Sequence, residues 1–262
     1  MSLKKTKEGG LRTKRNVKKK TPNNDIQLIS VITVVFNDEK YLEQTIQSVV
    51  NQSYKNIEYI IIDGGSTDAT LEIIKKYDSK IDYWISEPDE GIYDAMNIGL
   101  LNSSGDWLYF LGGDDSLYNE TVLEEIYPYL NKNDHIIYGD SYWTEQKRKY
   151  DGKFNWYKLI NKNICHQSIF YPKKVFDKYN YNLEYPVLAD WELNIKLWSD
   201  RAFKFRYVNK CISNFNDSSI GKTKSIIHGK NFENDKELII KNAFMYRLYI
   251  QYIVNSFKSY IL

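Results

Sequence analysis

The chain has 262 residues, 42% hydrophobic and 27% charged, with a net charge of +2. That length buries a full core as one large domain or two small ones, and the composition is that of an ordinary soluble protein. No stretch reaches the ~18 uncharged apolar residues of a membrane span, no signal-peptide h-region follows the basic start, and Cys165 and Cys211 show neither metal nor disulfide spacing.

The first 20 residues carry nine Lys/Arg against one acid, Glu8. The whole chain holds +2 and this arm +8, so the remainder holds −6. An arm so basic and so poor in large apolar residues is expected to be disordered over 1–25. Its charge suits an anionic lipid surface, or nucleic acid as the other polyanion; a plain solubilising tail is as good a reading.

From residue 28 the pattern becomes regular. Leu28–Phe36 (LISVITVVF) reads as a buried strand. Asn37 or Asp38 is placed to cap a helix running to about Gln52, with Tyr41, Leu42, Thr45, Ile46, Val49 and Val50 in one stripe. A second strand, Ile57–Ile62, ends in Asp63-Gly64-Gly65, and a helix follows over 67–77, with Ser66 and Thr67 as caps. Two buried strands joined by a helix make a βαβ unit and a parallel sheet. A short strand at 81–85, a helix at 91–101 and the apolar strand Trp107–Leu111 continue the alternation, as in a doubly wound α/β fold.

Beyond Asp115 the order loosens. A helix is expected at 120–130, a strand at 135–138 and an antiparallel excursion at 141–154. A strand follows at 164–171, then a helix opened by Pro172, an amphipathic helix at 188–198 and a strand at 203–208. A polar loop reaches about Lys224 and leads into a helical tail. With no repeat and no Pro-rich linker, one compact domain in two halves is expected.

The chemistry gathers where strands end. Thr33 and Asn37, Asp63, the 86–89 turn, and the adjacent carboxylates Asp114 and Asp115 fall at successive strand tips, where ligands bind in open α/β sheets. Two carboxylates leaving a buried strand are costly unless a cation or solvent meets them, so a divalent-metal site stands beside the alternative of a solvated Gly-Gly-Asp-Asp turn. The dinucleotide Gly-x-Gly-x-x-Gly and the P-loop Lys-Ser/Thr are both missing after the first strand, which argues against hydride transfer and the common ATPases.

Six segments in order resemble family 2 of the glycosyltransferases. They are VITVVFNDEKYLEQTIQSVVNQSYKNIEYIIIDGGSTDAT (31–70), SEPDEGIYDAMNIGL (86–100), GDWLYFLGGDD (105–115), IIYGD (136–140), CHQSIFY (165–171) and LADWELNIKLW (188–198). The resemblance spans about 30–200. It implies a GT-A fold: a Rossmann-like, mostly parallel central sheet flanked by helices, here with a helical C-terminal tail. The implied glycosyltransferase domain covers 26–222, divided into a nucleotide-sugar half at about 26–115 and an acceptor half at about 116–222, with a helical extension over 223–262.

The same resemblance implies site roles. Thr33, Val34, Phe36, Asn37 and Asp63 would hold the nucleotide base, Asp63 by a charge-assisted bond to an imide N–H. Asp89 and Asn97 would touch the donor further on. The family's Asp-x-Asp metal motif has Gly112 in its first place and Asp114 in its last. Asp114 is thus the expected ligand for Mn2+ or Mg2+, with Asp115 supporting it. Asp190 matches the general base of an inverting transfer, against a plain helix cap as the other reading. His166, Gln167, Trp191 and Glu192 are candidates for acceptor or diphosphate contact. Asp140 ranks below them, as do Lys222 and Lys224 in the loop where relatives carry a cover on the donor.

The implied partners are a nucleotide-sugar donor, most simply a UDP-sugar, and a saccharide or lipid-linked acceptor, with no nucleic acid. The implied setting is bacterial surface-polysaccharide assembly, cytoplasmic and peripheral on the inner face of the membrane, with an oligomer open. The aromatic stretch 243–262 suits a membrane surface or packing on a second subunit. Two rivals remain at this stage: a donor-fold module without catalysis, and a sugar nucleotidyltransferase.

Overall fold

The computed structural model describes residues 6–15, 26–219 and 231–243. In chain order the elements are β1 (Lys7–Gly9), α1 (Leu11–Arg15), β2 (Ile29–Val35), α2 (Leu42–Val50), β3 (Ile57–Asp63), α3 (Thr70–Lys76), β4 (Tyr83–Ser86), α4 (Ile92–Asn102), β5 (Trp107–Gly112), β6 (Ser116–Leu117) and α5 (Val122–Ile126). They continue with β7 (His135–Trp143), β8 (Arg148–Tyr150), α6 (Trp156–Asn161), β9 (Ile169–Pro172), α7 (Ala189–Ser199), β10 (Lys204–Phe215) and a helix α8 over 232–243. The strands form one sheet in the order β1-β4-β3-β2-β5-β9-β7-β10-β6, with β8 paired to β7.

Strands β4, β3, β2 and β5 run parallel, with Val34 beside Ile62 and Gly112. Their side chains alternate between two cores, as a sheet covered on both faces requires. Ile32, Val34, Ile60, Ile62 and Phe110 pack towards α4 and α7, while Val31, Val35, Tyr59, Ile61, Tyr109 and Leu111 pack towards α2, α3 and α5. Strand β9 is antiparallel to both β5 and β7, so the second half joins the first through a reversed strand. The expected excursion at 141–154 is the antiparallel β7–β8 hairpin, Ser141 facing Tyr150.

Two local expectations fail. The segment Lys7–Gly9 is not disordered: it pairs antiparallel with β4, Lys7 against Ser86 and Gly9 against Trp84. Arg12 forms an ion pair with Glu58, which is buried and also accepts from Ser30 Oγ and from the Ser104 N–H at 2.7 Å. Residues 7–12 are held by strand pairing and one buried charge, not by apolar burial, so a composition argument misses them. The expected caps also serve elsewhere. Helix α2 starts after Tyr41 and α3 after Ala69, neither with a side-chain cap. Asn37 adopts φ 50° and its Oδ1 accepts from the Thr67 N–H at 2.8 Å, lacing two strand-end loops together.

Part of the helical tail is seen as α8, whose Phe232 is buried against Tyr185 and Trp191. Lys222, Lys224 and 244–262 lie outside the described residues. No helix among the described residues is long and apolar enough to cross a membrane.

Candidate active site

The parallel register brings the ends of β2, β3, β4 and β5 to one edge. Phe36 and Asn37 stand exposed there. Asp63 is fully buried, and both its oxygens accept from the Ser66 N–H at 3.2 Å while the Ser66 hydroxyl also donates to it. Asp89 leans across Gly64: a Cβ there would lie 2.8 Å from Asp89 Oδ2. Burial, with Asp94 and Asp63 nearby, raises the Asp89 carboxyl above its ordinary value.

The acidic pair lies at the tip of β5. Asp115 is buried, and its Oδ1 accepts from the Asn216 N–H at 2.9 Å, just beyond β10. Both carboxylates crowd Gly112, where a Cβ would meet Asp115 Oδ2 at 2.8 Å and Asp114 Oδ1 at 3.3 Å. The Asp115 carboxylate therefore fills the space that the missing side chain of the Asp-x-Asp motif would need. Asp38 joins them from the β2 side: a Cβ at Gly113 would lie 3.2 Å from its Oδ2.

The electrostatics follow from that crowding. Burial and the Asp114 charge push the Asp115 carboxyl up to about 7. Burial and Asp114 likewise push Asp38 up to about 6. Carboxylates held so reluctantly as anions are the donors a hard divalent cation relieves, with diphosphate oxygens and water completing its shell. Asp114 and Asp115 thus fit Mn2+ or Mg2+ by donor type, although no three His, Cys, Asp or Glu among the described residues form a cage by themselves.

Asp190 sits in the first turn of α7 and is buried. Its Oδ1 accepts from the Tyr93 O–H at 2.8 Å and the Trp191 N–H at 2.9 Å. Its Oδ2 accepts from Asn163 Nδ2 at 2.7 Å and lies 3.6 Å from His166 Nδ1. A carboxylate oxygen has two lone pairs, so Oδ1 is saturated and Oδ2 keeps capacity for one more proton. His166 Nε2 and Gln167 Nε2 are buried without a hydrogen-bond partner among the described residues. Such groups call for a ligand or ordered water.

Several expected contacts do not reach the cleft. Thr33 is buried, its hydroxyl 3.2 Å from the Tyr59 hydroxyl, and Val34 belongs to the core. Asn97 spends both ends of its amide on the backbone of Tyr181. Trp191 donates to the Leu159 carbonyl at 2.7 Å, packs on Phe232 and lies under Lys236. Glu192 pairs with Lys196 at 2.5 Å along its own helix. Four of these five side chains are engaged in packing and bracing, while Glu192 keeps a buried Oε2 without a hydrogen-bond partner among the described residues. Conversely, Asp38, Tyr93 and Asn163 were not expected at the site. Asp38 carried a signal, three residues past the β2 tip, but its helix-capping chemistry hid it; Tyr93 and Asn163 carried none.

A mostly parallel α/β sheet with helices on both faces and carboxylates at its strand ends is the GT-A type of fold. The family model for glycosyl transferase family 2 matches residues 30–190, and the chain belongs to that family: it is a glycosyltransferase. A PGL/p-HBAD biosynthesis glycosyltransferase of Mycobacterium bovis is 32% identical over 234 residues, covering 87% of this chain and 88% of that one. An uncharacterized glycosyltransferase of Haemophilus influenzae is 29% identical over 251 residues, covering 84% and 74%. Among solved structures, S. aureus TarS 1–349 in complex with UDP-GlcNAc aligns with a TM-score of 0.61 at 16% identity, covering 83% of this chain and 71% of that one. The mannosyltransferase PcManGT from Pyrobaculum calidifontis, in complex with GDP-Man and Mn2+, aligns at 0.61 and 13%, covering 89% and 75%. At those identities the likeness shows the fold.

Proposed function

We propose that the chain transfers a sugar, with inversion, from a UDP-sugar to a hydroxyl of a saccharide or lipid-linked acceptor. The observation that carries this is Asp190: a buried carboxylate oriented by three donors, with one oxygen left to take a proton. The donor half, 26–115, holds the nucleotide between the exposed Phe36 and Asn37 and the Asp63 and Asp89 loops. The acceptor half, 116–222, presents the hydroxyl.

In the reaction the acceptor oxygen attacks the anomeric carbon while Asp190 Oδ2 accepts its proton. The bond from that carbon to the diphosphate oxygen breaks, and the electron pair leaves with the nucleoside diphosphate. Tyr93 and Asn163 keep the carboxylate from rotating, and the raised Tyr93 phenol, buried beside Asp190, stays a donor throughout. His166 and Gln167 line the approach with unspent polar atoms. Asp114 and Asp115 would hold a divalent cation, which when bound supplies charge neutralisation for the departing diphosphate.

The UDP preference is supported by the UDP-GlcNAc complex of TarS, and a role in surface glycolipid or polysaccharide biosynthesis by the name of the mycobacterial relative. The test is Asp190→Asn. Transfer from a panel of UDP-sugars should be abolished while calorimetry shows UDP bound as before; a variant that transfers normally would sink the assignment.

A further inference from the structure

The two ends of the cleft differ in charge. The donor edge gathers Asp38, Asp63, Asp89, Asp114 and Asp115. The segment from 147 to 162 carries six Lys/Arg and a single acid, Asp151. Its Tyr150 stacks on Trp143, at the end of β7, at 4.6 Å. The Arg148 guanidinium lies over Trp143 at 4.6 Å and reaches Tyr150 at 5.8 Å, and Lys162 lies over Tyr150 at 5.8 Å. Lys158 and Lys162 share the one carboxylate of Asp151, at 3.5 and 3.1 Å, so positive charge is left over. Arg148 spends only its Nε, on Gln146 Oε1, among the described residues.

This cluster is tied to both reactive ends of the site. The Tyr150 hydroxyl donates to the Asn163 carbonyl at 2.8 Å, and the Asn163 side chain holds Asp190. Trp143 packs against Phe215 at 5.4 Å, and the next residue, Asn216, holds Asp115. A guanidinium with unspent N–H donors on an aromatic platform suits the oxygens of a phosphate. The acidic donor edge would repel an anionic acceptor unless a basic surface received it.

We infer that Arg148 and Lys162, on the Trp143–Tyr150 pair, bind a phosphate group carried by the acceptor. This rests on the glycosyltransferase reading and names the acceptor class: a phosphate-bearing saccharide, free in solution or anchored in lipid.

The probe is glucose 1-phosphate, titrated by calorimetry into the full chain saturated with UDP and Mg2+, with glucose as the neutral control. Binding of the phosphate ester but not of glucose is expected, weakened at least fivefold in Arg148→Ala and in Lys162→Ala. Arg148→Lys should recover part of it, and Lys174→Ala, on the far turn after β9, should match the parent. Circular dichroism and UDP affinity check that the variants are folded. Equal binding of glucose, no binding once UDP saturates, or binding indifferent to both substitutions would overturn the inference. Sedimentation with phosphatidylglycerol against phosphatidylcholine vesicles separates the sources: Arg148-dependent binding to the anionic vesicles places the phosphate in lipid, and its lack beside glucose 1-phosphate binding places it in solution. Asp190→Asn should bind the ester like the parent, so loss of the catalytic reading and loss of this site are told apart.

Discussion

Restoring the family's acidic residue by Gly112→Asp should harm this protein. The new Cβ would sit 2.8 Å from Asp115 Oδ2 and 3.3 Å from Asp114 Oδ1. Asp115 must swing away, giving up the N–H of Asn216. A charge-assisted bond of that kind is worth about 1.5–3 kcal/mol. A further carboxylate then joins a cluster in which burial and the Asp114 charge already lift Asp115 to about 7. With overpacking of about 1–3 kcal/mol when backbone and neighbours share the strain, a net loss of about 3 kcal/mol follows, or roughly 6–12 °C in Tm for a chain of this size. Gly112→Ala isolates the steric part and should lose roughly half as much. Thermal unfolding in EDTA measures both, and calorimetry with UDP and Mn2+ should show no gain in affinity for Gly112→Asp. An unchanged Tm together with tighter Mn2+-dependent UDP binding would refute the reasoning.

Arg12→Ala leaves the buried Glu58 without its cation, which typically costs about 3–5 kcal/mol; denaturant unfolding should show it, and Arg12→Ala with Glu58→Gln should recover part of the loss. The Asp38 carboxyl is raised from 3.8 to about 6, so its favourable neutral form is present below pH 3.8 and the benefit is lost as pH rises through about 6. Asp38→Asn should therefore stabilise the metal-free protein increasingly between about pH 4 and 6 and by a constant amount above about pH 7, about 1 kcal/mol once screening at a half-buried site is allowed for; a Tm difference independent of pH would contradict this. Tyr93→Phe frees one donor from Asp190 and should lower kcat about tenfold, or ~1.4 kcal/mol, with KM for the UDP-sugar unchanged.

Much of the fold is written in hydrophobic periodicity. The runs at Leu28–Phe36, Ile57–Ile62 and Trp107–Leu111 became β2, β3 and β5 within a residue or two, because strands buried on both faces leave an uninterrupted apolar signature. The reversed strand β9 and the long β10 were harder. Strand β10 alternates exposed and buried residues, and its pairing with β7 breaks register between Tyr207 and Ser213, so its second half hides behind polar residues such as Asn209, Lys210 and Asn214. The described start of the basic arm, 6–15, is illegible for a different reason. Its order depends on an edge that β4 offers and on Glu58, both distant in sequence, and neither leaves a mark in the arm itself.

The site shows the same division. Strand ends located Asp63, Asp89, Asp114 and Asp115, because a carboxylate following an apolar run must leave the core or find a partner. What the sequence could not show is how one carboxylate displaces another. Asp115 bends back over Gly112, so the gap in the motif is occupied by the next-but-two residue, and Asp38 closes the cluster from the loop after β2. Asp190 was legible only by resemblance, since an acid in the first turn of a helix is ordinary capping chemistry. The structure changes that balance. A capping carboxylate needs only backbone N–H donors, whereas Asp190 takes one and draws two more from Tyr93 and Asn163, 97 and 27 residues away in the chain. Holding a carboxylate in one orientation from three directions, and leaving one oxygen open, is expected of a group that must receive a proton at a fixed place.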